Sequence, residues 1–312
     1  MPCRSGFCWI VKGTFSIGCL WMALMAGSGR QALGQEADVP PNTPPPPPVT
    51  FQNLIPTDQL AFLNDYAGRS TKEILKDKRF RALMKAMTPR TTYHYGRDMS
   101  LADASEMVLG GTPLPVDVQD GRYVMVGSRG GNQLSGRGFL WFDMKEGAAL
   151  GGVYFHPING EPTPTLAIFS KQLNGNDLAM SQLPPIFAED VAQWSAMAAI
   201  PEVSPRYFIP SNGKKYVLVH DEDYCGPTPG ANGPPLNVCM QMNADAADDD
   251  LNAAYFMKAT RNAANATAWM LAPEQMAWIG LRDRTCGIGA AALPCRIRIT
   301  RVRTRVYLGR HS

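Results

Sequence analysis

Arg122-Tyr123-Val124-Met125-Val126-Gly127, Gly138-Phe139-Leu140-Trp141-Phe142-Asp143, Gly151-Gly152-Val153-Tyr154-Phe155 and Pro164-Thr165-Leu166-Ala167-Ile168-Phe169 are four short runs rich in aromatic and β-branched residues. Such residues fit a pleated surface. Glycine-rich breaks lie between the runs, including Ser128-Arg129-Gly130-Gly131-Asn132 and Asn159-Gly160. The pattern predicts an antiparallel sheet joined by hairpins. Lys215-Tyr216-Val217-Leu218-Val219-His220 predicts a fifth strand.

Upstream of the sheet the apolar spacing becomes helical. A helix is expected over Thr57–Tyr66, one over Ser70–Met87 that stops before Pro89, and a short one over Leu101–Leu109 closed by Gly110-Gly111. Residues 183–200 read as a further helix. The fold class predicted for residues 51–224 is therefore α+β, an antiparallel-sheet domain with flanking helices, long enough to bury its own core.

Ahead of that domain, residues 35–50 hold Pro40-Pro41 and Pro44 through Pro48. Few backbone donors and fixed φ angles favour an extended spacer. Residues 1–34 have the parts of an export signal: Arg4 and Lys12, an uncharged apolar run from Gly13 to Ala26, and Ala32-Leu33-Gly34 as a cleavage site. The apolar run is too short to span a bilayer. Lipidation at Cys19 is a weaker alternative, because Ser16-Ile17-Gly18-Cys19 matches such a site poorly.

Removing residues 1–34 changes the balance of charge. The whole chain has 30 basic and 27 acidic residues, net +3. Arg4, Lys12 and Arg30 leave with the signal, so 27 of each sign remain. A neutral mature chain is not built for nucleic acid. Cys3, Cys8 and Cys19 also leave. Cys225, Cys239, Cys286 and Cys295 remain, an even number that suits two disulfides in an oxidising compartment. Spacing favours Cys225–Cys239 and Cys286–Cys295, although four cysteines allow three pairings. The mature chain is expected to be periplasmic or secreted, with no transmembrane segment and no cofactor. Its oligomeric state is left open.

Beyond residue 225 strand signals stop. Asp245, Asp248, Asp249 and Asp250 are read as the acidic start of a helix, where they favour its partial positive charge. Met276, Trp278 and Ile279 begin another helix. The last segment, residues 296–306, alternates like a strand but also carries a helical stripe through Cys295, Ile299, Val302 and Val306. The small helical module 225–312 would gain from its disulfides.

The module holds Cys239, Asn243, Asp250-Leu251-Asn252, Tyr255, Glu274-Gln275, Trp278, Arg282-Asp283, Cys286, Cys295, Thr300, Arg303 and Leu308. In these matching residues it resembles the LprI family of lysozyme inhibitors. The match spans about a quarter of the chain. The resemblance implies a disulfide-bonded helical interaction module in the cell envelope, favours a helix for the last segment, and implies lysozyme inhibition more weakly. Ala272-Pro273 departs from the Leu-Arg usual in the family. Trp278 is expected in the core, and Asp283 is expected to pair with Arg303. The five arginines between 296 and 305 form either a solvated face or a basic patch for an acidic surface.

The sheet domain offers other chemistry. His94, His156 and His220 lie in polar contexts, and with Glu161 or Asp221 they would make a metal site if they converged. Asp221-Glu222-Asp223 offers oxygen ligands without the spacing of a calcium loop. The loop from Asn159 to Thr165 reads either as a rigid turn leading into a strand or as one whose Glu161 lines a groove. Three readings follow. The first is a non-enzymatic envelope protein that binds a protein or envelope glycan and inhibits a lysozyme in one version. The second is a metal-dependent hydrolase of an envelope polymer, and the third is a small-ligand binding module.

Overall fold

The computed structural model describes residues 47–94, 97–130, 136–155, 165–175, 178–199, 205–226, 234–263 and 268–309. They belong to one compact unit, Pro44–Ser312. The expected export signal, most of the proline-rich spacer, and the loop carrying His156 and Glu161 lie outside the described residues. Pro47–Gln52 is fastened to the body. The Gln182 side chain donates to the Pro47 carbonyl at 3.0 Å, and the Val49 and Gln52 amides donate to the carbonyls of Gln182 and Gln172.

Two short strands, β1 (Thr92–His94) and β2 (Asp98–Ser100), form a hairpin by themselves. The main sheet contains β3 (Thr112–Pro113), β4 (Asp117–Gln119), β5 (Tyr123–Arg129), β6 (Arg137–Asp143), β7 (Ala148–Phe155), β8 (Thr165–Phe169), β9 (Leu178–Ala179), β10 (Pro205–Ile209) and β11 (Tyr216–Val219). Its order is β3-β5-β6-β7-β8-β10-β11-β9, with β4 also on β5. The four aromatic and β-branched runs are β5 to β8, and they pair antiparallel in sequence.

The outer part adds parallel pairing to the expected antiparallel sheet. β10 lies parallel to β8, and β11 parallel to β9. Parallel neighbours need a crossover, and the chain between β8 and β10 supplies one that includes helix α3 below. β10 itself was not foreseen, because five residues after a helix carry too little periodicity to mark a strand.

β6 is buried along its whole length, because both faces of the sheet are covered. Leu140 and Phe142 point to one core, Phe139 and Trp141 to the other. That alternation follows from the two-residue period of a strand. The first face is covered by α1 (Lys78–Met87), α2 (Leu101–Leu109) and the C-terminal helices. The second is covered by α3 (Pro185–Met197), through Phe187, Val191 and Trp194.

The helix expected over Ser70–Met87 is broken. A short turn, Thr71–Ile74, ends, and Asp77 then starts α1 by accepting the Arg79 amide at 2.7 Å. A carboxylate that caps an N-terminus begins a helix and is poorly placed inside one. The helical stretch Thr57–Tyr66 is present, as one α turn followed by a 3-10 run.

After β11 come three helices, α4 (Leu236–Asn262), α5 (Leu271–Cys286) and α6 (Leu293–Leu308). Both disulfides are those favoured by spacing, Cys225–Cys239 and Cys286–Cys295. α4 begins nine residues before Asp245, so the aspartates lie in mid-helix and do not start it. Pro273, the departure from the family pattern, falls in the first turn of α5, where a missing N–H costs nothing. α6 is a helix. Its buried residues are Leu293, Ile297, Thr300, Val302, Thr304 and Tyr307; of the expected stripe Val302 is buried, and Cys295, Ile299 and Val306 are half-buried. Leu251, Ala254, Met257, Trp278 and Tyr307 share a core with Tyr207, Ile209 and Val217 of the sheet.

Candidate functional site: a cleft on the disulfide-bonded helices

Successive residues of a helix point about 100° apart, so adjacent acids reach different neighbours. In the middle of α4, Asp248 meets Arg282 of α5 at 2.7 Å, Asp249 meets Arg206 of β10 at 2.9 Å, and Asp250 meets His220 at 2.8 Å. Three consecutive carboxylates therefore join α4 to α5, to the sheet, and to the end of β11.

α5 and α6 run antiparallel, closed at one end by Cys286–Cys295. Near that end Arg296 reaches Asp283 at 3.6 Å, and at the other Arg303 reaches Glu274 at 2.7 Å. The expected Asp283–Arg303 pair is thus replaced by two others. The disulfide sets Asp283 opposite the start of α6, and Arg303 lies about two turns further on, roughly 12 Å at 1.5 Å per residue. Arg303 also donates to the Tyr307 hydroxyl at 2.8 Å. The guanidinium groups of Arg282 and Arg303 lie 5.5 and 5.6 Å from the centre of the buried Trp278 ring. Arg282 donates to the Thr300 hydroxyl at 3.0 Å and to Asp283 at 3.2 Å. Trp278 is a core residue, and this cluster fastens the helices to one another.

These contacts alter the reading of the arginine-rich segment. Arg296 and Arg303 are engaged by Asp283 and Glu274, and Arg301 donates toward the Glu222 carbonyl at 3.5 Å. Three of the five arginines of α6 are therefore engaged within the protein. Among the other signature residues, Asn252 is exposed on α4, and Tyr255 packs against the Tyr307 ring at 6.1 Å.

Above the polar cluster lies a cleft of about 660 Å³. Val238 and Met242 of α4 form one wall and Leu293 and Ile297 of α6 the other, while Asp248, Arg296 and Thr300 lie in the lining and Gly289 and Ala290 form a rim. Val238 and Met242 are 44% and 39% exposed. Ile288, on the same disulfide-closed turn, is 82% exposed between Gly287 (φ 82°) and Gly289 (φ 87°). Of these residues the sequence marks only Thr300, through the family resemblance, and Arg296, as one of the five arginines. The i, i+4 spacing of Val238 and Met242 was the available signal, but a short apolar pair reads the same on a buried face.

The metal-site candidates do not come together in what is described. His156 and Glu161 lie outside the described residues, and of His94 only the backbone, paired with Asp98 in β1, is described. Asp221 accepts from the Ser181 hydroxyl at 2.7 Å and its amide at 3.2 Å. Asp223 accepts from the Cys225 amide and from Asn243. Asp221 and Asp223 thus turn to separate partners, and the three acids do not form a nest for a cation among the described residues. Among the described residues no group of three His, Cys, Asp or Glu side chains is placed to hold a metal ion.

The class defined by this arrangement is a two-sided mixed sheet that carries a disulfide-bonded helical module. Residues 228–306 match the model of a family described as lysozyme inhibitor LprI, and no family model matches the rest of the chain. The match covers the cleft, the cluster around Trp278 and the Cys286–Cys295 turn. No curated protein and no solved structure matches the chain. No helix among the described residues is long and apolar enough to cross a membrane.

Proposed function

We propose that this chain is a non-enzymatic, exported protein of the cell envelope that binds a macromolecular partner through the cleft between α4 and α6, with a lysozyme as the first partner to test. The observation that carries this reading is the place of the cleft. It lies within residues 228–306, and its walls expose Val238 and Met242 beside a turn held by a disulfide. Apolar side chains held on rigid elements lose little freedom on binding. Their lack of charge and the matched ion pairs beneath them suit a protein surface with its own apolar anchor.

Inhibition assays against lysozymes of several classes, beside capture from an envelope extract, test the reading. Dose-dependent inhibition at micromolar protein supports it, and Met242→Asp is expected to weaken binding at least tenfold, since a charge would be desolvated there. Because Met242 is exposed, thermal unfolding of that variant should match the wild type. Failure to inhibit any lysozyme removes the inhibitor version. Capture of an envelope protein or glycan whose binding survives Met242→Asp removes the cleft.

A further inference from the structure

His220 follows β11 and is only 3% exposed. Asp250, in the middle of α4, is equally buried and accepts twice from it. The His220 backbone amide reaches one carboxylate oxygen at 2.8 Å, and ring Nδ1 reaches the other at 2.8 Å. An ionised carboxylate only accepts, so Nδ1 carries a proton. Ring Nε2 is buried and has no hydrogen-bond partner among the described residues. It is the atom where a second proton would sit.

The surroundings are rich in acid. The loop after β11 brings Asp221, Glu222 and Tyr224, and α4 brings Asp249 beside Asp250, with Asp245 one turn away. Opposing them are Arg206 of β10, paired with Asp249, and Arg301 of α6, which reaches the Glu222 carbonyl. Glu222 Oε2 is also buried without a partner among the described residues. The contact joins the sheet to the helices that match the family model, and the Cys225–Cys239 bond crosses the same seam.

We propose that the His220–Asp250 contact is a proton-sensitive latch between the sheet and the helical module, closed while the imidazole carries both ring protons and loosened when it loses one. Burial is the largest influence on His220 and pulls its pKa down. The hydrogen bond to Asp250 and the charges of Asp250, Glu222 and Asp249 outweigh it, leaving the ring above its ordinary 6.5. Burial also raises Glu222 and Asp249. All three groups bind protons more tightly folded than unfolded. For His220 the added stability is complete below pH 6.5 and is lost as pH rises through the folded-state value. For the two acids the loss starts lower, in the carboxylate range, and runs in the same direction.

The test is an NMR titration of the His220 ring in the purified chain, with native-state hydrogen exchange from pH 5.5 to 9 in the wild type and in His220→Asn. Asparagine presents an N–H near the Nδ1 position and does not titrate. The ring is expected to titrate above 6.5. Protection in β11 and the middle of α4, corrected for intrinsic exchange, should fall about tenfold for each unit by which the folded value exceeds the unfolded one. In His220→Asn the fall should shrink to whatever Glu222 and Asp249 contribute at the acid end of that window. A ring pKa at or below 6.5 overturns the latch. So does an unchanged pH response in His220→Asn, or an equal loss of protection in β5–β7. Should His220→Asn fail to fold, the wild-type titration and the location of the exchange decide alone.

Discussion

Arg282 is held by three acceptors at once, Asp248, Asp283 and Thr300, while its guanidinium lies over the Trp278 ring. A lysine carries a point charge in place of this fork and cannot reproduce it. Arg282→Ala is expected to cost about 2 kcal/mol in urea unfolding, less than the loss of a fully buried pair, because Asp248 and Asp283 keep access to water. Arg282→Lys should recover only part of that. Asp283 lies about 100° round α5 from Arg282, but the grouping of Trp278 with Arg282, four residues apart on one side, was legible in the sequence. Their partners were not. Spacing within a helix says nothing about register between two helices, so Asp283 was assigned the wrong arginine. The link from Asp250 to His220 was equally hidden, because it joins elements of different architecture.

The central strands depend on residues too small to be noticed as core. A Cβ at Gly151 would fall within the ring of Phe169, and one at Gly152 within the ring of Phe139. Both rings lie flat on the sheet because β7 has no side chain there. Gly152→Ala is therefore expected to destabilise by about 1–3 kcal/mol, the range for forced overpacking, read as a lower thermal midpoint. The runs β5–β8 and β11 were readable because aromatic and β-branched residues concentrate between glycine breaks. The short edge strands β3, β4 and β9 were not, since two or three residues have no period. For α6 the helix and the burial of Val302 were anticipated, but the buried threonines were not. Thr300 and Thr304 look polar in sequence and point inward, where the Thr304 hydroxyl donates to the Thr300 carbonyl at 3.1 Å.

In the molecule as a whole, the sheet and the C-terminal helices share one core and are tied by Cys225–Cys239. That bond closes a loop with a sequence separation of 14, and its loss in a Cys225→Ser/Cys239→Ser pair is expected to cost about 3 kcal/mol. Urea unfolding of the double variant reads this loss, and stability equal to the wild type would show that packing alone holds the seam. The expected division at residue 224 marks a change of architecture, and the hydrophobic core runs across it.

The parallel pairing of β8 with β10 has a consequence in time. β5, β6, β7 and β8 can zip together as soon as residue 169 is available, but β8 then waits for 36 more residues before Pro205 arrives to cover its edge. An unpaired, fully buried strand type is a template for other chains during that interval. Refolding is expected to be slow for its size and to lose yield as protein concentration rises. Light scattering during dilution from denaturant should report this, and a yield independent of concentration would show that the edge is protected early. The export route that the N-terminal sequence suggests would keep the chain unfolded until late, and the wait would then begin only after delivery.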